Sequence, residues 1–189
     1  MAGTKGATFE RDISRKLSLW WTHGERDDVF WRSSMSGGRA TVRAKQGKTT
    51  AYQNGDITAT DPIGAPLIAN VVIELKRGYK RWCVLDMVDS PKPEKSTFAT
   101  FLAQVREECK NAGVSAYMLI CKRDGRKPIV ICPTQMLIGL NAYIVGKNGI
   151  KDGLYAVHTL DAVFTLKPEL FLRWVIDYNR FVPYKEVNE

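Results

Sequence analysis

The sequence predicts a mixed α/β fold in which a central sheet is flanked by helices. Three observations support this: an amphipathic helix near the amino terminus, an apolar strand run before residue 76, and a second amphipathic helix followed by another apolar strand. The order is helix, two or three strands, helix, strand. Alternation of this kind is typical of layered α/β domains, in which helices bury the faces of one sheet.

The first helix is predicted over residues 7–22. At 100° per residue its apolar side chains fall on one arc about 120° wide; they are Phe9, Ile13, Leu17, Trp20 and Trp21. Glu10 projects within this arc, where an unpaired carboxylate is costly. We therefore expect Glu10 to face a cation, a metal ion or a polar cleft. A glutamate at the rim of the core, paired with a nearby arginine, is the simpler alternative.

Three strand segments are predicted after the first helix. Residues 28–34 form the first, and residues 52–58, which contain Asp56, form the second. The composition of residues 61–66 indicates a turn. This turn returns the chain into a third strand over residues 68–76, so the second and third strands should pair antiparallel.

The second long helix has clear signals at both ends. Ser96 is the expected N-cap, and Gly113 is the expected C-terminal stop. Between them an apolar stripe consists of Phe98, Phe101, Leu102, Val105 and Cys109. Strands are predicted over residues 114–121 and 129–132.

The last sixty residues are less distinctive. A strand is predicted over residues 155–159 and a helix over residues 167–178, with Pro168 in its first turn. No linker-like composition separates this part from the rest. With 44% hydrophobic residues, the chain can bury a sizeable core, and residues 1–189 are predicted to form one domain.

Composition restricts the functional classes. Lys and Arg number 28 against 20 Asp and Glu, a formal charge of +8 that favours a polyanionic partner. There is no apolar run long enough to span a membrane and no apolar signal segment. The four cysteines form no CxxC pair and only two histidines are present. A structural zinc site and a disulfide framework are therefore both disfavoured. We expect free thiols in a reducing cytoplasm.

The positive charge is concentrated in two clusters. The first consists of Arg39, Arg43, Lys45 and Lys48, and the second of Lys76, Arg77, Lys80 and Arg81. Either could bind DNA phosphates, but the first could equally be a solvated face. Ser34 and Arg39 flank a Gly-Gly turn and could touch DNA or only close that turn.

Acidic and basic side chains meet at the end of the third strand. Because residues i and i+2 of a strand share a face, Glu74 and Lys76 project together while Leu75 points into the core. With Asp56 nearby, the oxygen ligands suit Mg²⁺ or Mn²⁺. Glu10 and the backbone carbonyl of Ile73 or Leu75 could add further ligands. Neither a nucleophilic Cys–His pair nor a phosphate-binding glycine loop is present.

These residues resemble the PD-(D/E)xK nuclease superfamily. Asp56 followed by Glu74-Leu75-Lys76, placed before a helix, carries the resemblance, which covers residues 7–132 and leaves 133–189 as an elaboration. It implies a restriction-endonuclease-like core of order αβββαβ. The sequence departs from the pattern at Gly55, where the superfamily name has proline.

The resemblance also implies roles for individual residues. Asp56 and Glu74 would bind the metal, together with Glu10 on the first helix. Lys76 would orient the attacking water and stabilise developing phosphorane charge. Gln104 matches a glutamine that part of the superfamily carries on the following helix, although it could be an ordinary solvated side chain.

The predicted function is a metal-dependent DNA endonuclease of duplex or branched DNA, similar to junction-resolving and phage-type members. A homodimer is expected because one chain carries one motif set. The alternatives are a non-catalytic DNA-binding protein of the same fold and a protein-interaction module with a solvated basic face. Trp82 is the aromatic residue that we would test for stacking on a base.

Overall fold

A mixed sheet packed between helices forms the centre of the molecule. The computed structural model describes residues 2–33, 55–79, 82–137, 139–141, 144–147 and 154–183. In chain order the elements are α1 (Ala2–Trp21), β1 (Phe30–Arg32), β2 (Ile57–Ala59), α2 (Ala65–Ile68), β3 (Val72–Arg77), α3 (Asp86–Asp89), α4 (Thr97–Ala112), β4 (Tyr117–Lys122), β5 (Ile129–Pro133), β6 (Ile144–Lys147), β7 (Leu154–Thr159), α5 (Leu160–Val163) and α6 (Pro168–Phe181). The predicted α/β class is confirmed.

The larger sheet has five strands in the order β3-β4-β5-β7-β6. β3 and β4 run parallel, and the other neighbours are antiparallel. The crossover between the two parallel strands includes α4, as a parallel pair requires a long connection. The carboxyl ends of β3 and β4 therefore lie side by side at one edge of the sheet.

Side chains alternate between two apolar clusters, one on each face of this sheet. Ile73 and Leu75 of β3 belong to the cluster that contains the apolar residues of α1 and α6. Val72 belongs to the cluster that contains the stripe of α4. This alternation is the one expected for a strand buried on both faces, and it turns Glu74 and Lys76 toward α4.

Helix α1 begins earlier than predicted, at Ala2. Phe9, Ile13 and Leu17 are fully buried, as their spacing indicates. Ser18 is also buried within this helix. Its Oγ accepts a hydrogen bond from the backbone N–H of Phe30 (2.9 Å), which fastens β1 to α1.

The expected antiparallel pairing of the second and third strands is wrong for the described residues. β2 pairs with β1 in a separate two-stranded sheet. The chain changes partner at Asp56, whose N–H donates to the Ile73 carbonyl (2.9 Å) while its carbonyl accepts from the Ser33 N–H (2.7 Å). In addition, Ile68 lies in α2, so β3 begins only at Val72.

Both predicted ends of α4 are confirmed. The Ser96 Oγ accepts from the Ala99 N–H, and Gly113 adopts a left-handed conformation at φ 68°. The following strand starts later than predicted because the N–H groups of Ser115 and Ala116 donate to the Asn179 side chain instead of to a neighbouring strand.

Helix α6 starts at Pro168, one residue later than predicted, extends to Phe181 and packs onto the core. Phe171 and Val175 are fully buried and Trp174 packs against their cluster, so the apolar face of α6 is covered by the core of the same chain. The Asn179 side chain donates to the Asn70 carbonyl (2.7 Å), linking α6 to the start of β3. Among the described residues, no helix is long and apolar enough to cross a membrane.

We predict that Ser18→Ala lowers the free energy of unfolding by about 1–3 kcal/mol, because it leaves the buried Phe30 N–H without its acceptor. Ser14→Ala is the matched control. Ser14 is equally buried one turn earlier, but its Oγ bonds only the Glu10 carbonyl of the same helix. Urea unfolding of both variants is the measurement, and equal losses would contradict this role of Ser18.

Candidate active site

A polar cleft of about 300 Å³ opens at the carboxyl end of β3. It brings together side chains from α1, β3, α4 and the residue before β2. All the catalytic residues predicted from the sequence line it: Glu10, Asp56, Glu74, Lys76 and Gln104, with Leu75 and Arg77 beside them.

Backbone contacts hold Asp56 against β3. Besides the bond from its N–H to the Ile73 carbonyl, its Oδ2 accepts from the Leu75 N–H at 2.8 Å. Gly55 makes this approach possible. Its φ is +85°, and a Cβ there would lie 2.6 Å from the Ile73 oxygen. Proline, with φ fixed near −65°, could not occupy this position, which explains the departure from the Pro-Asp pattern.

Glu74, Lys76 and Gln104 form a closed hydrogen-bonded triangle. Lys76 Nζ donates to Glu74 Oε1 (2.5 Å) and to Gln104 Oε1 (2.7 Å), and Gln104 Nε2 donates to the same Glu74 oxygen (2.7 Å). Glu74 is 3% exposed and Lys76 6%. Buried charges of this kind need such partners. Gln104 is exposed on α4, yet its amide bonds both charged groups, and its role in the site stays a prediction.

The triangle is packed against an aromatic ring of α4. Lys76 Nζ lies 5.6 Å from the centroid of Phe101, within the range of a cation–π contact. Leu75 points away into the opposite cluster, as the strand alternation requires. Whether the Leu75 carbonyl binds a metal stays a prediction.

Glu10 reaches the cleft from α1. Its Oε2 lies 3.2 Å from Arg32 Nε, an ion-pair distance, but this buried oxygen accepts no hydrogen bond from the described residues. Burial raises the pKa of the Glu10 carboxyl, and the negative charge of Asp56 raises it further. Glu10 thus faces a polar cleft and also pairs with an arginine, so the two alternatives inferred from the sequence hold together.

The pKa values of the two central carboxyls, Asp56 and Glu74, are also raised. Burial is the main cause for Asp56, partly offset by the Leu75 N–H that stabilises its charged form. Burial raises the pKa of Glu74 to about 7, and the charge of Asp56 adds to this effect. Glu108 on α4 raises both pKa values further.

The donor set matches a hard divalent cation in type. Asp56 and Glu74 supply carboxylate oxygens, and Mg²⁺ in phosphate chemistry commonly uses one or two carboxylates together with waters and substrate oxygens. In the described part of the chain, no three side chains of the His, Cys, Asp or Glu type stand together as a group able to hold a metal. A cation bound by Asp56 and Glu74 would therefore need further oxygen ligands, from the backbone, water or substrate.

The predicted basic residues are only partly described. Arg77 lies beside the cleft, above the Phe9 ring (5.8 Å) and 3.5 Å from Asp124. Six predicted DNA contacts and Ser34 lie outside the described residues; the contacts are Arg39, Arg43, Lys45, Lys48, Lys80 and Arg81. Trp82, which we would test for stacking on a base, is a core residue: it is 6% exposed and stacks on Phe98.

Three residues that contribute to the site were not predicted as site residues from the sequence. Gly55 belongs to an Asn-Gly turn signal, whose positive φ was the clue to its role. Arg32 occupies the predicted first strand, but only the packing of β1 on α1 brings it to Glu10. Glu108 follows Gln104 by one helical turn, a spacing that places both on one face.

The cleft combines a carboxylate beside β3 with Glu and Lys two residues apart on that strand, the pattern by which the sequence resembles the PD-(D/E)xK nuclease superfamily. Comparison with known families matches residues 2–166 to the family described as "Phage putative PDDEXK endonuclease". The chain belongs to this family, and the resemblance seen in the sequence is confirmed. Neither the curated proteins nor the solved structures gave a match.

We predict that Gly55→Ala costs more stability than Gly113→Ala. Both glycines have positive φ, so both variants should lose about 1–2 kcal/mol of unfolding free energy from backbone strain. Only at residue 55 does the new methyl group meet a backbone oxygen. Urea unfolding measures the difference, and equal losses would show that this approach tolerates a side chain.

A pH dependence follows from the raised pKa of Glu74. Its folded pKa of about 7 exceeds the ordinary value of 4.5, so the folded protein binds this proton more tightly than the unfolded chain. In chelator, the resulting stabilisation should be present below about pH 4.5 and lost as the pH rises through about 7. Glu74→Gln should flatten this decline in denaturant unfolding. The exposed Glu107→Gln control should retain it.

Proposed function

We propose that the protein is a metal-dependent deoxyribonuclease that hydrolyses phosphodiester bonds within DNA. The observation that carries this proposal is the buried Glu74–Lys76 pair beside Asp56, to which the Gln104 side chain is hydrogen-bonded. A lysine held out of water next to two carboxylates is an expensive arrangement for a surface that only binds DNA. The family description, which names an endonuclease, supports the same activity.

Each side chain has a proposed task. Asp56 and Glu74 hold the divalent cation, for which Mg²⁺ or Mn²⁺ suits the oxygen donors. When bound, such a cation lowers the pKa of a water and neutralises charge on the phosphate. Lys76 orients the attacking water and stabilises the negative charge that develops on the phosphate oxygens.

Two further residues act on these three. Gln104 bonds both Lys76 and Glu74, so it fixes the lysine ammonium in the cleft and keeps one oxygen of the glutamate occupied. Glu10 adds a third carboxylate at the cleft wall, where its Oε2 accepts no hydrogen bond from the described part of the chain. We propose that this oxygen contributes to the cation shell through a bridging water, since the three carboxylates do not form one metal-holding group.

The substrate is proposed to be duplex or branched DNA. Because the chain carries a single candidate site, cutting both strands would be simplest for a homodimer with twofold symmetry. Light scattering at micromolar concentration tests this assembly. We also propose a restriction-endonuclease-like core of order αβββαβ and a cytoplasmic location. The basic clusters of the sequence are proposed to bind the DNA phosphates.

A non-catalytic DNA-binding protein of the same fold is the competing interpretation. It would keep the basic surface, and nothing in its function would require the Glu74–Lys76 pair to stay buried and paired. A binding protein should therefore tolerate Lys76→Met and bind DNA without cutting it. Cleavage and DNA binding, measured on the site variants of the next paragraph, separate the two functions.

We expect cleavage of plasmid or branched DNA to require Mg²⁺ or Mn²⁺ and to stop in chelator. Asp56→Asn and Glu74→Gln should abolish cleavage and weaken Mn²⁺ binding in calorimetry, because each removes a ligand charge. Lys76→Met should reduce the rate by about 10²–10³-fold and retain Mn²⁺ binding. Glu107→Gln, an exposed change on α4, is the control. Cleavage that persists in excess chelator would refute the metal requirement.

A further inference from the structure

A second groove of about 340 Å³ lies next to the candidate active site. It is formed where the chain leaves β3 and where β4 turns into β5, and it is lined by Gly78, Tyr79, Lys122, Arg123, Asp124 and Arg126. Tyr79 lines the active-site cleft as well. The two depressions are therefore neighbours that share one wall.

The groove is strongly cationic. None of Lys122, Arg123 and Arg126 forms an ion pair with the residues that the structure describes. Its one carboxylate, Asp124, is already engaged by Lys5 Nζ (2.9 Å) and, from the cleft side, by Arg77 (3.5 Å). Within the described ranges, the three cations of the groove thus have no counter-charge of their own.

Aromatic packing gives this surface a fixed form. Arg123 lies above the ring of Trp82, 5.8 Å from its centroid, and Trp82 is itself buried. The Tyr79 ring meets Phe101 edge-on at 4.8 Å, the same ring that faces Lys76 Nζ. With 49% of its surface exposed, Tyr79 presents an open face between the two depressions.

We infer that this groove binds phosphates of the DNA strand that runs out of the active site, with Tyr79 packing against the nucleotide between them. The groove has this role only if the proposed nuclease function holds. A strand whose scissile phosphate lies near Lys76 must continue along the protein surface, and its next phosphates need cations. Unpaired Lys and Arg beside an exposed aromatic ring are the usual combination on such paths.

The test compares two double variants that remove the same charge. Arg123→Gln with Arg126→Gln changes the groove. Lys110→Gln with Arg173→Gln changes exposed cations elsewhere, on α4 and α6. Binding of a short fluorescein-labelled oligonucleotide, single-stranded and duplex, is followed by anisotropy in chelator over a range of salt concentrations. Circular dichroism verifies the fold, and Arg126→Gln alone serves if the groove double variant misfolds.

We expect the groove variant to bind more weakly and its slope of log K against log salt to flatten by about two units, or about one for the single variant. The control should keep the wild-type slope. Equal slopes for the groove variant and the control would overturn the inference about the groove. The nuclease proposal would still stand in that case if the wild type binds and cleaves DNA. If the wild type neither binds nor cuts DNA, both proposals fail.

Discussion

The burial of a charged pair at the end of one strand is the constraint on which the site depends. Glu74 and Lys76 project from the same face of β3, out of water, so each needs partners that solvent cannot supply. Gln104 provides such a partner from α4. The apolar stripe of α4 packs this helix on the sheet, and that packing brings Gln104 to the charged pair.

Much of the arrangement could be predicted because it follows from local periodicity. The alternation of β3 placed Glu74 and Lys76 together, and the cap signals of Ser96 and Gly113 fixed the helix that carries Gln104. Glu10 was predicted for the same reason, since a carboxylate within an apolar helical arc requires a polar neighbour. Each of these inferences needed only the geometry of one element.

The failures concern contacts between elements. The antiparallel partner of β2 was predicted incorrectly because strand pairing is not encoded in a single segment, and the chain exchanges partners at Asp56 through two backbone bonds. Trp82 looked like a loop aromatic, but its burial arises from α4 packing over it. Arg32 could not be linked to Glu10 without knowing that β1 packs on α1.

The linkage made by Asn179 has a consequence for the limits of the structural unit. The family match ends at residue 166, before α6 begins. Yet this one amide caps the start of β4 and contacts the chain just before β3, while Phe171 and Val175 complete the apolar layer beneath those strands. The strand that carries Glu74 and Lys76 is thus supported at its opposite end by a helix that lies beyond the matched residues. The packing unit of this strand is therefore longer than the segment matched to the family.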